Sequence, residues 1–182
     1  MATVFTHGVS AMAIGTAYAV SVGSGQALPT RFWALSIVCA AIPDIDVIGF
    51  AFGVRYGSVW GHRGITHSLL FAALLAVAVV TVAFPNAARF SQLWWAFAGY
   101  FFVVTASHGV LDAMTNGGLG VAFFAPFENG RYFLPWRPLE VSPIGIAAIF
   151  TPRAWEVLKS EFVWVWIPSL ALISALRLLN RP

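Results

Sequence analysis

From Thr66 to Phe84 the chain carries no Asp, Glu, Lys or Arg. A helix needs about 20 mostly apolar residues to cross the ~30 Å hydrocarbon core of a bilayer, and this stretch nearly supplies them. Four further stretches have the same character: Phe5 to Val22, Arg31 to Ile42 (with a continuation past Pro43 to Phe52), Gln92 to Met114, and Phe162 to Leu179. Charged residues make up only 9% of the 182 residues, against about 25% in an average soluble domain. A water-soluble globule cannot be coated with so few charges, so soluble-enzyme and disordered readings are excluded. A nucleic-acid surface is excluded too: the 10 Lys and Arg are spread along the whole chain, which suits membrane-flanking anchors better than a phosphate-tracking stripe.

The fold class expected is an all-α integral membrane protein: a bundle of four to five transmembrane helices with a long interfacial segment. One domain covers 1–182, divided into a four-helix core at 1–114, the interfacial segment at 115–161 and a closing helix at 162–182. Small residues in the first stretch (Ala11, Ala13, Gly15, Ala17, Ala19) suit close helix packing. Met1 to Thr30 holds no Lys or Arg, unlike the basic n-region of a secretory signal, so it reads as a retained first helix. Within the Pro- and Gly-rich interfacial segment, Pro143 to Phe150 is expected to form a short re-entrant or surface helix. The lone cysteine, Cys39, allows no disulfide framework.

All four His and all three Asp sit at predicted helix ends: His7, then Asp44 and Asp46 in PDID, His62 and His67 in HRGITHS, and His108 with Asp112. If the first four helices alternate across the membrane, every one of these ends lies on the same side. His108 and Asp112 are four apart and share a helix face. The two Asp at i and i+2 follow Pro43, where a helix-end turn lets both point inward. Each residue alone has an ordinary explanation as a solvated or hydrogen-bonded helix end, but ionisable groups in membrane segments are costly and tend to mark function.

Seven imidazoles and carboxylates exceed the four ligands of a single zinc, so His7, Asp44, Asp46, His62, His67, His108 and Asp112 are read as holding one or two divalent ions. Zinc is the first choice, and mixed His/Asp ligation also admits manganese or iron. Two-metal centres commonly cleave phosphoesters. In this reading Asp46 takes the proton of the attacking water, and Arg63, which stays protonated, stabilises charge developing on the substrate. Arg131 and Arg137 extend an anion clamp, and Glu140 is a further ligand or base.

The combination of HRGITHS (62–68), PDID (43–46), Ser107-His108, Leu111-Asp112 and Thr115 resembles the bacterial YdjM-like family. The resemblance runs from His7 to about Pro143 and includes Phe133-Leu134-Pro135. It implies an inner-membrane, metal-dependent hydrolase; part of the family is described as LexA-binding, to which no residue here can be matched. The order His, Asp, His, then His-x-x-x-Asp is also similar, by analogy only, to zinc-dependent phospholipase C and P1 nuclease, whose later His and Glu ligands only Glu128 or Glu140 would replace.

The expected activity is hydrolysis of a membrane lipid or lipid-linked phosphoester, with no nucleic-acid partner; protein partners are not specified by the sequence. Two rivals stand beside it. A divalent-metal transporter would spread its ligands through the bilayer depth, and a non-enzymatic regulator would carry a closed structural metal. The site side carries Arg55, Arg63, Arg131, Arg137, Arg153 and Lys159, against Arg31, Arg89, Arg177 and Arg181 opposite, which leans towards a cytoplasmic site.

Overall fold

The computed structural model describes residues 1–23, 28–144 and 151–180. Among these the chain is helical, with no strand: α1 Val4–Ser21, α2 Thr30–Ala41, α3 Leu69–Ala83, α4 Gln92–Ala113 and α5 Pro152–Leu179. Among the described residues, three helical stretches are long and apolar enough to cross a membrane: Thr30–Phe52, Gln92–Ala113 and Pro152–Leu179. The expected surface helix at Pro143 to Phe150 falls mostly on 145–150, outside the described residues.

The elements start and stop where local chemistry dictates. Ser68 caps α3 by accepting the Phe71 N–H at 3.1 Å, and Ser91 caps α4 by accepting that of Trp94 at 3.2 Å. The Ser68 cap shortens the third apolar stretch: Thr66 and His67 belong to a 3₁₀ turn, and α3 proper has 15 residues, or about 22 Å at 1.5 Å per residue. Helix α2 passes directly into an 11-residue 3₁₀ run, Ile42–Phe52, that ends at Gly53 with φ +76°. Pro43 has no N–H to donate, and the tighter winding begins there.

The closing helix starts at Pro152 rather than Phe162. It carries a π turn at Phe162–Trp166 just ahead of Pro168, where the missing proline N–H breaks the regular ladder.

Helix α4 is the axis of the bundle. Its apolar stretch is 61% buried, against 6% for Pro152–Leu179, so the last helix presents its flanks to lipid. Phe32, Phe84, Phe97, Tyr100, Phe101 and Val104 form the apolar core between α1, α2, α3 and α4. Gly15 lets α1 approach there: a Cβ on it would lie 2.6 Å from the Trp33 ring. After α4 the chain folds back under the bundle, with Leu134 N–H donating to Ala113 O at 2.9 Å and Asn116 N–H to Leu139 O at 2.8 Å.

Candidate metal centre

Four separate segments deliver the polar residues to one end of the bundle. The 3₁₀ run brings Asp44 and Asp46, α1 brings His7, α4 brings His108 and Asp112, and the 61–68 loop brings His62, Arg63 and His67. That loop is too tight for side chains at its glycines: a Cβ on Gly64 would lie 2.1 Å from Val59 O. Arg63 itself takes φ +61°, a left-handed conformation uncommon for a residue with a Cβ. All seven predicted ligands meet, and six of them have side chains with at most 2% exposure; Asp44, at 13%, is the exception.

Asp44, His67, His108 and Asp112 form the tightest donor group. His108 Nε2 lies 3.1 Å from His67 Nε2 and 3.3 Å from Asp44 Oδ1. His67 Nε2 is 3.5 Å from both Asp44 Oδ1 and Asp112 Oδ2, and His108 Nε2 is 3.9 Å from Asp112 Oδ2. A tetrahedral ion with ligands at about 2.0–2.1 Å sets donor–donor edges of roughly 3.3–3.4 Å, which these separations bracket. His108 Nδ1 is 2.7 Å from Ala40 O, and His67 Nδ1 is 3.1 Å from Asp46 Oδ2. With both Nδ1 atoms turned to acceptors, the two Nε2 atoms are left facing each other at 3.1 Å, a separation that needs a proton or a metal ion between them. Imidazoles tethered through Nδ1–H to a carbonyl or carboxylate are the usual outer shell of a metal site.

Asp46 belongs to that outer shell. Its Oδ1 is 2.8 Å from His62 Nδ1, and its Oδ2 accepts from Thr66 Oγ1 at 2.7 Å and from the Arg63 N–H at 3.2 Å. Asp46, His62 and His67 are close enough to make a second possible metal-holding group. Asp112 is held from two sides, its Oδ2 by Arg63 Nε at 3.0 Å and its Oδ1 by the Ala2 N–H at 2.8 Å. His7 stacks on His108 with ring centroids 3.7 Å apart and lies 3.9 Å from Asp112 Oδ1.

Several of these buried atoms have no hydrogen-bond partner: both nitrogens of His7, both carboxylate oxygens of Asp44, and His62 Nε2. Leaving a buried polar atom unpaired costs about 1–3 kcal/mol. So many in one place fit a site made for a cation. His67 lies outside the spanning helices. Burial alone would lower its pKa, but the carboxylates of Asp112, Asp44 and Asp46 grouped around the ring outweigh that and push it up to about 10. The cluster attracts positive charge strongly.

The arginines are placed differently from the substrate clamp expected of them. Arg63 is fully buried, and its three nitrogens donate to Asp112 Oδ2, Gly117 O and Thr115 Oγ1. Its positive φ turns the fork inward, so it neutralises Asp112 instead of facing an incoming anion. Arg131 clasps the loop before the site, donating to Tyr56 O, Ser58 O and His62 O at 3.0–3.1 Å. Arg137 is exposed, its guanidinium 4.8 Å from the centre of the Phe133 ring. Glu140 pairs with Arg153 and Asn116 at the surface, away from the cluster. Thr66 and Thr115, quoted from the sequence only as parts of the family pattern, are the hydroxyls that brace the cluster: Thr66 donates to Asp46 Oδ2, and Thr115 accepts from Arg63 Nη2.

Fold and site together define an all-α membrane protein with a buried histidine–aspartate cluster fit to hold a metal ion. The sequence pattern of the YdjM inner membrane protein family matches residues 1–181. The chain belongs to that family. It is 37% identical to the inner membrane protein YbcI of Escherichia coli (strain K12) over 182 residues, covering 97% of each chain. No solved structure matches it.

Proposed function

We propose that this protein is a membrane-bound, metal-dependent hydrolase acting on a lipid or lipid-linked phosphoester, with Asp44, His67, His108 and Asp112 holding a divalent ion, zinc by preference. One observation carries the reading: the cluster has more unpartnered donors than a structural ion needs. Four ligands close a structural zinc shell. An ion that only stapled helices together would leave the buried His62 Nε2 without a use, and a reaction that needs a proton acceptor gives it one. A transporter fits less well, because the donors gather at one end of the bundle instead of along its depth.

A divalent ion at this position supplies Lewis acidity towards a phosphoryl oxygen when bound. The rest of the work belongs to the chain. Asp46, with both oxygens already accepting hydrogen bonds, is a poor base but an effective orienter. By holding the Nδ1 proton of His62, it leaves His62 Nε2 as a buried lone pair with no partner, the better proton acceptor. Arg63 balances the charge of Asp112, and Asp44, the most exposed of the donors, marks the side from which substrate enters. The positive-inside balance favours the cytoplasm for that side.

The test is hydrolysis of a panel of phospholipids and isoprenoid phosphates by detergent-purified protein, with and without a chelator. Turnover that the chelator abolishes and zinc restores supports the proposal. Turnover indifferent to chelator, or none across the panel, removes it.

A further inference from the structure

Glu161 is fully buried on a helix where, among the described residues, only Val157 and Val165 are buried beside it, and no Lys, Arg or His forms a salt bridge with it among those residues. A buried carboxylate is expensive unless its oxygens are well bonded. Here they are bonded entirely by the first turn of α1: Oε1 accepts the Thr3 N–H at 2.5 Å, and Oε2 accepts Thr3 Oγ1 at 2.5 Å and Thr6 Oγ1 at 2.7 Å. A carboxylate at a helix N-terminus is also favoured by the helix dipole. Trp166, one turn further along the closing helix, adds its indole N–H to Thr6 Oγ1 at 2.7 Å. Between Glu161 and Trp166 the helix adopts its π turn, which widens the winding there.

The segment held in this way is the one that touches the metal cluster. Ala2, next to Thr3, donates its N–H to Asp112 Oδ1, and His7, next to Thr6, stacks on His108. We propose that Glu161 is a positioning residue of the metal centre: through the first turn of α1 it sets where His7 and the Ala2 amide lie, and so how Asp112 and His108 are presented. The closing helix then belongs to the site. This inference deepens the hydrolase reading and rests on it for its purpose, although the positioning itself is measurable without activity.

The experiment uses the full chain, purified in detergent and labelled with ¹³C in its histidine rings, together with zinc titration and thermal melting. The four histidine resonances are assigned by single His→Gln substitutions. Glu161→Asp keeps the charge but falls one methylene short. It is expected to shift the His7 resonance and weaken zinc binding by up to about 10-fold, the lower end of what losing a direct outer-shell partner costs. Glu161→Gln, which keeps reach and an acceptor oxygen, is expected to stay within about threefold of the parent. Glu156→Ala, on the exposed part of the same helix, should change neither.

If Glu161→Asp lowers only the melting temperature, with His7 and zinc affinity unmoved, the proposal is overturned. Should Glu161→Asp not fold, Thr6→Val decides: a His7 shift supports the positioning role, and no shift overturns it. If the parent takes up no zinc, the hydrolase reading falls, and the His7 resonance alone settles the positioning.

Discussion

The two halves of α4 both pack into the bundle and are differently built. From Trp94 to Val104 the helix is enclosed by rings: Phe32 stacks on Tyr100 at 4.5 Å, Phe84 meets Phe97 at 4.8 Å, and the Tyr100 hydroxyl is matched to Ser36 at 2.7 Å. Apart from the Trp94 indole, every buried side-chain polar atom of this half has a partner. From His108 to Asp112 the same helix buries every residue but Val110, yet around it stand five unpartnered ring nitrogens and carboxylate oxygens. The apolar half gains stability from burial. The polar half loses some of it, and such a loss is retained where function needs it. The comparison separates what folds the protein from what the fold is for.

Four experiments test that separation, beginning with the largest effect. His67→Ala and Asp112→Ala each remove a central donor, and metal content per folded molecule should drop to background by elemental analysis; unchanged content in both would erase the distinction between the halves. Phe101→Ala, in the apolar half, should cost about 3–5 kcal/mol of stability in denaturant titration while leaving metal content per folded molecule at the parent level. Loss of metal there would show that the halves are coupled.

Arg63→Lys keeps the charge beside Asp112 but loses the planar fork that reaches Gly117 and Thr115, and zinc affinity should fall about 10- to 100-fold. The last test is pH. Without metal, His67 holds a proton up to a pKa of about 10, and an ion must displace it. Apparent affinity should therefore rise with pH, by at most about tenfold per unit below that value. A flat profile would mean that His67 is not a ligand.

Much of the site was legible because few arrangements were available. Helices that cross a slab have ends on only two faces, so residues as distant in sequence as His7 and Asp112 are assigned to one pocket by alternation alone. The division of labour was not legible. Asp44 and Asp46 look equivalent in PDID, and only the 3₁₀ winding, with its different angular spacing, aims one at the donor cluster and the other at His62 and His67. Arg63 looks like a free fork until its left-handed backbone and the flanking Gly61 and Gly64 turn it inward. Glu161 was invisible because its partners, Thr3 and Thr6, are about 155 residues away, and a carboxylate next to Lys159 reads as an ordinary helix surface. The start of the closing helix was misplaced for a related reason: Pro152–Glu161 is polar, and hydropathy marks only the part of a helix that lies in lipid.

The shortness of α3 has a consequence for the surrounding bilayer. At about 22 Å it falls short of the ~30 Å of hydrocarbon its neighbours cross, because the chain spends Thr66 to Ser68 on the turn that presents His67. Lipids beside this helix must either thin or let the turn sink beneath their headgroups. The protein should thus carry a dimple with it, a patch of thinned bilayer on the side where the Thr66–Ser68 turn lies.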